Sequence, residues 1–395
     1  MEVTLHKMKN EATYWIALAH LPNWGYNKIN NLIVRFFHDE KISIEEFFNL
    51  PESVWRENYR LDQKDIFDLG KAKTELPNNA FLAESLFSQG YELIPITSPE
   101  YSKVLKRNLK TTYSPALLYI KGNKQILNKK SIAVVGSRSA EDVSLRFTDN
   151  IAKLACENFK VVVSGFAKGV DKQALDSAIK YNGQSIIVLP QGITTFNSGF
   201  KTYYKQIVGG DVLVLSIFPP KAMWSVGLAM ARNPIIYGLA DEIFVAESSE
   251  KGGTWSGVMD GLKKGRTIFV RAPAPNEKNA NSLLIQMGAA PVDFHGKISQ
   301  DKSIGKDSEQ QLPVKKELAI ELKDDVGDLI LSTFNGKPLS AKDILEKTKL
   351  NWTSKKLSAY LQKMKAVQMT KKGRANQYIL KKNLPEQATL FTKNG

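Results

Sequence analysis

Short apolar runs alternate with helical patterns through the middle of the chain. The runs SIAVV (131–135), KVVV (160–163), SIIVL (185–189), VLVLS (212–216), EIFVA (242–246) and TIFV (267–270) are β-branched and apolar on both faces. Strands buried on both faces belong to a parallel sheet covered by helices. Between the first two runs, Val143, Phe147, Ile151, Leu154 and Ala155 recur on one helical face, and DKQALDSAIKYNG supplies a helix between the second and third. This alternation predicts right-handed crossovers and an α/β, Rossmann-like, doubly wound and mostly parallel sheet within residues 81–295. Ligands of such sheets bind beyond the carboxyl ends of the strands.

The flanks read differently. Residues 1–80 predict a helical domain, SAM- or helix-hairpin-helix-like, from EATYWIALAHLP, NKINNLIVRFF and SIEEFFNLPESVW. The last of these opens with a capping-box pair, Ser43 and Glu46. Residues 296–325 are polar, charged and poor in aromatics, and read as a linker. Over 326–385 the pattern predicts a helix, a turn at Asn335-Gly336, a second helix from Ser340 and a third after Thr353 that carries Leu357, Leu361 and Met364. A hairpin, VQMTKKGRANQYIL, then turns around Lys372-Gly373. Three helices and a basic hairpin predict a winged-helix domain, with residues 386–395 as a tail.

Charge narrows the partners. The formal net charge is +15, and residues 328–395 alone hold fourteen Lys/Arg against four Asp/Glu. Such an excess concentrates polyanions, nucleic acid ahead of an anionic membrane because no basic amphipathic helix with bulky apolar anchors stands out. No apolar run approaches the roughly 20 residues of a bilayer span, and the start of the chain lacks a signal-peptide pattern. The single cysteine, Cys156, lies in a helical apolar pattern and reads as a buried, inert thiol. A lone cysteine fits a reducing compartment, so a cytoplasmic protein without membrane insertion is expected. The four histidines have no zinc spacing, and neither metal nor cofactor is expected.

Candidate chemistry sits at the ends of the predicted strands. Gly136-Ser137-Arg138 ends the first run, where a glycine turn and a helix start can offer N–H groups and a guanidinium to an anion. Neither GxGxxG nor GxxxxGK[ST] is present, so the arginine is left to a nucleotide, a nucleic-acid phosphate or the surface of a tight turn. SGFAKGVDKQA places Ser164, Gly165, Lys168 and Gly169 in an N–H-rich loop, with Asp171 as N-cap or first-turn acid of the next helix. Arg232 and Asn233 precede Pro234 and suggest a loop-to-helix junction, while Gly252-Gly253-Thr254 follows a strand and opens a helix. Four such elements at successive strand ends predict one shared phosphate-accepting crevice. Phe166 and Trp255 can serve it by stacking on bases or can simply pack.

The order GSR, SGxAxGxD, RN before an apolar run, and GGT opening a helix resembles the DprA/Smf DNA-processing family. GYELIPITSPEYSKVLKRNLKTTYSPALLYIKGN (90–123) and NANSLLIQMGA (279–289) extend the likeness over residues 90–290. The resemblance implies a dimeric, non-enzymatic core that binds single-stranded DNA, protects incoming DNA and helps load a RecA-type recombinase in natural transformation. It assigns Gly136, Ser137 and Arg138 to DNA phosphate, with Ser164, Gly165 and Lys168 in the same groove. The chain departs from the family pattern at Leu175 (usually His), Pro234 (usually Arg), Lys251 (usually Ser) and in RAPAP, which lacks a Pro-Gly. An enzymatic rival, a phosphoribohydrolase, calls for an acid just after the GGT loop, but here the next acid is Asp260. A transcription regulator resting on the winged helix is a third class.

Overall fold

The computed structural model describes residues 2–298, with side chains from residue 11, and thereafter 330, 333–334, 338–348, 353–362, 367–372 and 375–380. The expected linker from residue 299 onward, the turn at Asn335-Gly336 and the tail lie outside the described residues. The chain divides into two compact units, Met1–Gly305 and Lys306–Gly395.

In the first unit six helices lead into a nine-stranded sheet: α1 (Glu2–Ala19), α2 (Tyr26–Ile33), α3 (Ile44–Asn49), α4 (Glu52–Glu57), α5 (Gln63–Thr74) and α6 (Leu76–Ser88). The expected capping box starts α3: the Ser43 Oγ accepts from the Glu46 N–H at 3.2 Å, and the Glu46 carboxylate accepts from the Ser43 N–H at 2.7 Å. Trp15, Phe36, Phe47, Phe48 and Trp55 fill the interior of this helical region. Their cluster continues without a break into the sheet through Leu117, Tyr119, Ile187 and Val214.

The strands are β1 (Glu92–Pro95), β2 (Leu117–Lys121), β3 (Ser131–Gly136), β4 (Val161–Ser164), β5 (Ser185–Val188), β6 (Val212–Ser216), β7 (Glu242–Glu247), β8 (Ile268–Arg271) and β9 (Ala290–Val292). Their spatial order is β1-β2-β6-β5-β4-β3-β7-β8-β9. From β6 to β9 every pairing is parallel, while β2 pairs antiparallel with both β1 and β6. The six runs read from the sequence are β3 to β8, and the sheet is mostly parallel as expected. Side chains alternate between its faces. Ala133, Val135, Val163 and Val245 pack under α7 (Lys103–Tyr113), α12 (Val226–Leu239) and α13 (Gly253–Lys263). Ile132, Val134 and Val162 pack under α8 (Asp142–Glu157) and α9 (Val170–Lys180), and two short helices, α10 (Asn197–Thr202) and α11 (Tyr204–Gly209), lead into β6. Cys156, on α8, is half-buried, and burial raises its thiol above the ordinary value.

In the second unit, helices Ala341–Thr348 and Ser354–Leu361 accompany a three-stranded sheet. Strand Ala375–Leu380 is central and pairs antiparallel with Val367–Lys372 and Leu339–Ser340. Ile330, Ile344, Leu357, Leu361, Val367 and Tyr378 form its core. Among the described residues, no helix is long and apolar enough to cross a membrane, and no cluster of His, Cys, Asp or Glu is placed to hold a metal ion.

Candidate functional site

Strand order reverses at β3, whose neighbours are β4 on one side and β7 on the other. The loops leaving these strands diverge and open a crevice at their carboxyl ends, the site expected of a doubly wound sheet. Ser137 ties the three strand ends together. Its N–H donates to the Glu247 carbonyl at 3.1 Å, and its carbonyl accepts from the Val170 N–H at 3.3 Å. Gly136 permits this approach, since a Cβ there would stand 2.6 Å from Val170 Cγ2 and 3.0 Å from the Glu247 carbonyl oxygen. Arg138, the next residue, is exposed.

The loop after β4 is organised from within. Asp171, buried in the first turn of α9, accepts hydrogen bonds from the backbone N–H groups of Gly165 and Ala167. Burial raises its carboxyl above the ordinary range, against the pull of Arg232. Ser164 is buried as well: its hydroxyl donates to the Asp171 carbonyl at 2.6 Å and accepts from the Phe166 N–H at 3.2 Å. Ser164 and the Gly165 and Ala167 N–H groups, expected to face an external phosphate, are instead engaged within the loop by the Asp171 carbonyl and carboxylate. Lys168 alone projects outward there, exposed.

Arg232 and Asn233 do not stand at a loop-to-helix junction. They lie inside α12, which is capped by Ser225, whose hydroxyl accepts from the Leu228 N–H at 3.2 Å, and which runs through Pro234. Successive helical residues point about 100° apart, which sends the two side chains to different partners. Arg232 is 3% exposed and donates from Nη2 to the Gly165 carbonyl at 2.7 Å. Its Nη1 is 3.6 Å from Asp171 Oδ2, an ion-pair contact too long for a hydrogen bond. Nε and Nη1 have no hydrogen-bond partner among the described residues. Burial and the nearby Arg138 both press the guanidinium below its ordinary pKa. Asn233 instead faces α13, its Nδ2 lying 2.7 Å from where a Gly253 Cβ would be.

The crevice closes on the N-terminus of α13. Gly252 precedes that helix at φ +96°, no side chain caps it, and its first turn holds no acid. Uncapped N–H groups and the positive end of the helix dipole favour an anion here. Gly136, Ser137, Arg138, Arg232, Asn233, Gly252, Gly253 and Thr254 all line this hollow of about 330 Å³. Gly165 and Lys168 line an adjoining hollow shared with Arg138 and Arg232. Ser164 lies beneath the loop, and Gly169 serves the turn.

Two lining residues were not among the expected site residues. Lys251 is an exposed cation in the crevice, and Trp224 stands at the neighbouring hollow in a stretch without periodicity or motif. Of the departures from the family pattern, Leu175 is a core residue under the N-terminal helices, and Pro234 borders an apolar hollow between α12 and α13. Neither lines the crevice, whereas Lys251 adds charge to it.

The loop between β7 and α13 is held by the motif that closes the resemblance. Asn281, fully buried, donates to the Ala246 and Arg271 carbonyls at 3.1 and 3.0 Å and accepts from the Ser248 N–H at 3.0 Å. Arg271 in turn grips Glu277 with Nη1 at 2.9 Å and Nη2 at 2.5 Å. Hydrogen bonds from Arg271 hold the Glu277 carboxyl down to about 2, from an ordinary 4.5. A depressed carboxyl contributes stability above its unfolded value and loses it as pH falls through the folded one. Stability should therefore drop between pH 4.5 and about 2. In Glu277→Gln that part of the decline should vanish, as acid titration followed by circular dichroism can measure.

Comparison with known proteins gives this geometry its family. A sequence model described as DNA recombination-mediator protein A matches residues 92–302, more than half of the 395-residue chain. The chain belongs to this family. DNA processing protein DprA of Streptococcus pneumoniae (strain ATCC BAA-255 / R6) is 33% identical over 156 residues, covering 40% of this chain and 55% of that protein. DNA processing protein DprA of Bacillus subtilis (strain 168) is 29% identical over 208 residues, covering 52% of this chain and 69% of the relative. The alignment thus spans little more than half the length of the streptococcal protein. The X-ray structure of DprA from Streptococcus pneumoniae shares the fold, with a TM-score of 0.54 and 24% identity over 71% of this chain and 93% of that one. The DNA recombination-mediator match covers both crevice-lining glycine loops and the Asn281 element.

Proposed function

We propose that this chain is a non-enzymatic single-stranded-DNA-binding protein that seats backbone phosphate in the crevice beside Arg138. The observation that carries this reading is the buried Arg232 guanidinium, two of whose nitrogens lack partners among the described residues, at a hollow that also holds the uncapped α13 N-terminus. Arg138, Lys168 and Lys251 add exposed positive charge. Asp171 offsets one of these cations, and the remaining positive charge with the bare N–H groups favours an anion in the hollow. The names of the relatives, DNA processing proteins, point to DNA as the source of that anion. Asp260, the first acid after Thr254 in the chain, is paired with Lys264 at 2.7 Å, which gives the phosphoribohydrolase reading no support.

On this reading the chain acts as a cytoplasmic homodimer that protects incoming single strands and presents them to a RecA-type recombinase in transformation. The second unit, two helices beside a three-stranded sheet, is read as a winged helix whose lysines add a further contact to nucleic acid. Binding should be dominated by charge and weaken steeply with salt. Arg138→Ala should reduce affinity for unrelated single-stranded sequences by about tenfold, and the salt slope should become shallower by about one. Fluorescence anisotropy across a salt series measures both. Unchanged binding would remove Arg138 from the site, and tighter binding of duplex than of single strands would overturn the function.

A further inference from the structure

The phosphate crevice leaves its aromatic neighbour without a role. Trp224 is 50% exposed and lines the hollow it shares with Arg138, Lys168, Phe166, Phe196 and Gln191. Met223 and Val226, its near neighbours in the chain, and Met230 on α12 are also exposed, so apolar side chains are concentrated about the start of α12. Contiguous exposed apolar surface marks an interaction site. What it meets is set by the charge around it. Arg138 and Lys168 line the same hollow, and neither has an ion pair among the described residues, so the ligand is anionic. A ligand that carries anionic charge and a flat apolar ring at one spacing is a nucleotide.

The other aromatics of the site are committed elsewhere. Phe166 meets Phe196 edge-on at 5.0 Å and Tyr203 at 5.8 Å, and is packed against the core of the helical region. Trp255 lines neither hollow and packs against the core beneath α12 and α13. Trp224 is the half-exposed ring of the three. We infer that Trp224 is a base-stacking platform, and that the hollow beside Lys168 receives a nucleobase whose phosphate lies in the Arg138 crevice. The inference rests on the phosphate reading above and adds to it a physical reason for choosing single strands. In a duplex each base is already stacked and paired, so Trp224 gains nothing there without melting it, whereas an unpaired base offers a free face.

The test uses the full chain and three ligands of equal length: oligo-dT, an abasic deoxyribose-phosphate oligomer, and a hairpin duplex. Trp224→Ala should weaken oligo-dT binding by about tenfold, leave abasic and duplex binding unchanged, and keep the salt slope. Trp224→Phe should recover most of the loss. Arg138→Ala should instead weaken all three ligands. Equal losses on oligo-dT and on the abasic oligomer would overturn the stacking role. So would an unchanged oligo-dT affinity, including the case in which sedimentation shows that Trp224→Ala has only altered self-association. Arg138→Ala without effect, beside a base-dependent Trp224→Ala, would sink the phosphate reading and leave the stacking platform standing.

Discussion

Arg232→Ala is expected to lose about 3 kcal/mol of folding stability, whereas Arg138→Ala should leave the melting temperature unchanged. The two arginines border the same crevice but do different physical jobs. Arg138 is exposed, and removing it subtracts charge from solvent. Arg232 is buried, bonded to the Gly165 carbonyl and set against Asp171. Its loss leaves the carboxylate buried without its cation, and that uncompensated charge accounts for most of the penalty. Adding Asp171→Asn to Arg232→Ala should therefore recover part of the stability, and the double-mutant cycle should show strong coupling. Urea unfolding of the four proteins gives the numbers. If Arg232→Ala melts like the parent protein, the pair is no clamp, and Arg232 is available to ligand alone.

The clamp also shows how far residue patterns reach. The six central strands were legible because both of their faces are buried, which leaves continuous apolar runs. The antiparallel edge was not, since nothing in Leu117–Lys121 states that it turns against β6, and Glu92–Pro95 is too short to show a period. Gly136, Arg138 and the double glycine line one hollow, and their proximity was open to sequence reasoning because a glycine turn at a strand end is a local feature. Gly165 was chosen for the wrong physical reason. A Cβ there would stand 1.5 Å from Arg232 Nη1, so its bareness makes room for a guanidinium of the protein. That partner lies 67 residues further along the chain, and no spacing rule connects the two. Pro234 misled in the same way: read as a helix boundary, it sits within α12, whose flanking turns carry the helix through it. Trp224 escaped notice because its neighbourhood, FPPKAMWSV, has neither period nor motif.

Gly169→Ala should force the backbone of the site apart. Gly169 holds φ +76° and ψ −129°, a conformation that L side chains rarely adopt. Its Cβ would stand 2.3 Å from the Ser137 carbonyl oxygen and 2.8 Å from the Arg138 carbonyl carbon. Backbone atoms cannot rotate away as a side chain does, so the β3 and β4 loops must part and the Val170-to-Ser137 hydrogen bond must lengthen. Backbone strain and overpacking together should cost about 2–3 kcal/mol. DNA affinity should fall too, because the displaced segment carries Arg138. Gly252 supplies the control: it also has positive φ, at +96°, but nothing stands within 4 Å of its Cβ position. Gly252→Ala should therefore cost only the conformational term, about 1 kcal/mol, with Arg138 undisturbed. Thermal melts and anisotropy titrations of both variants separate the two contributions. Equal losses would mean that the strain of positive φ alone governs these loops, and that the contact between the β3 and β4 turns does not set the position of Arg138.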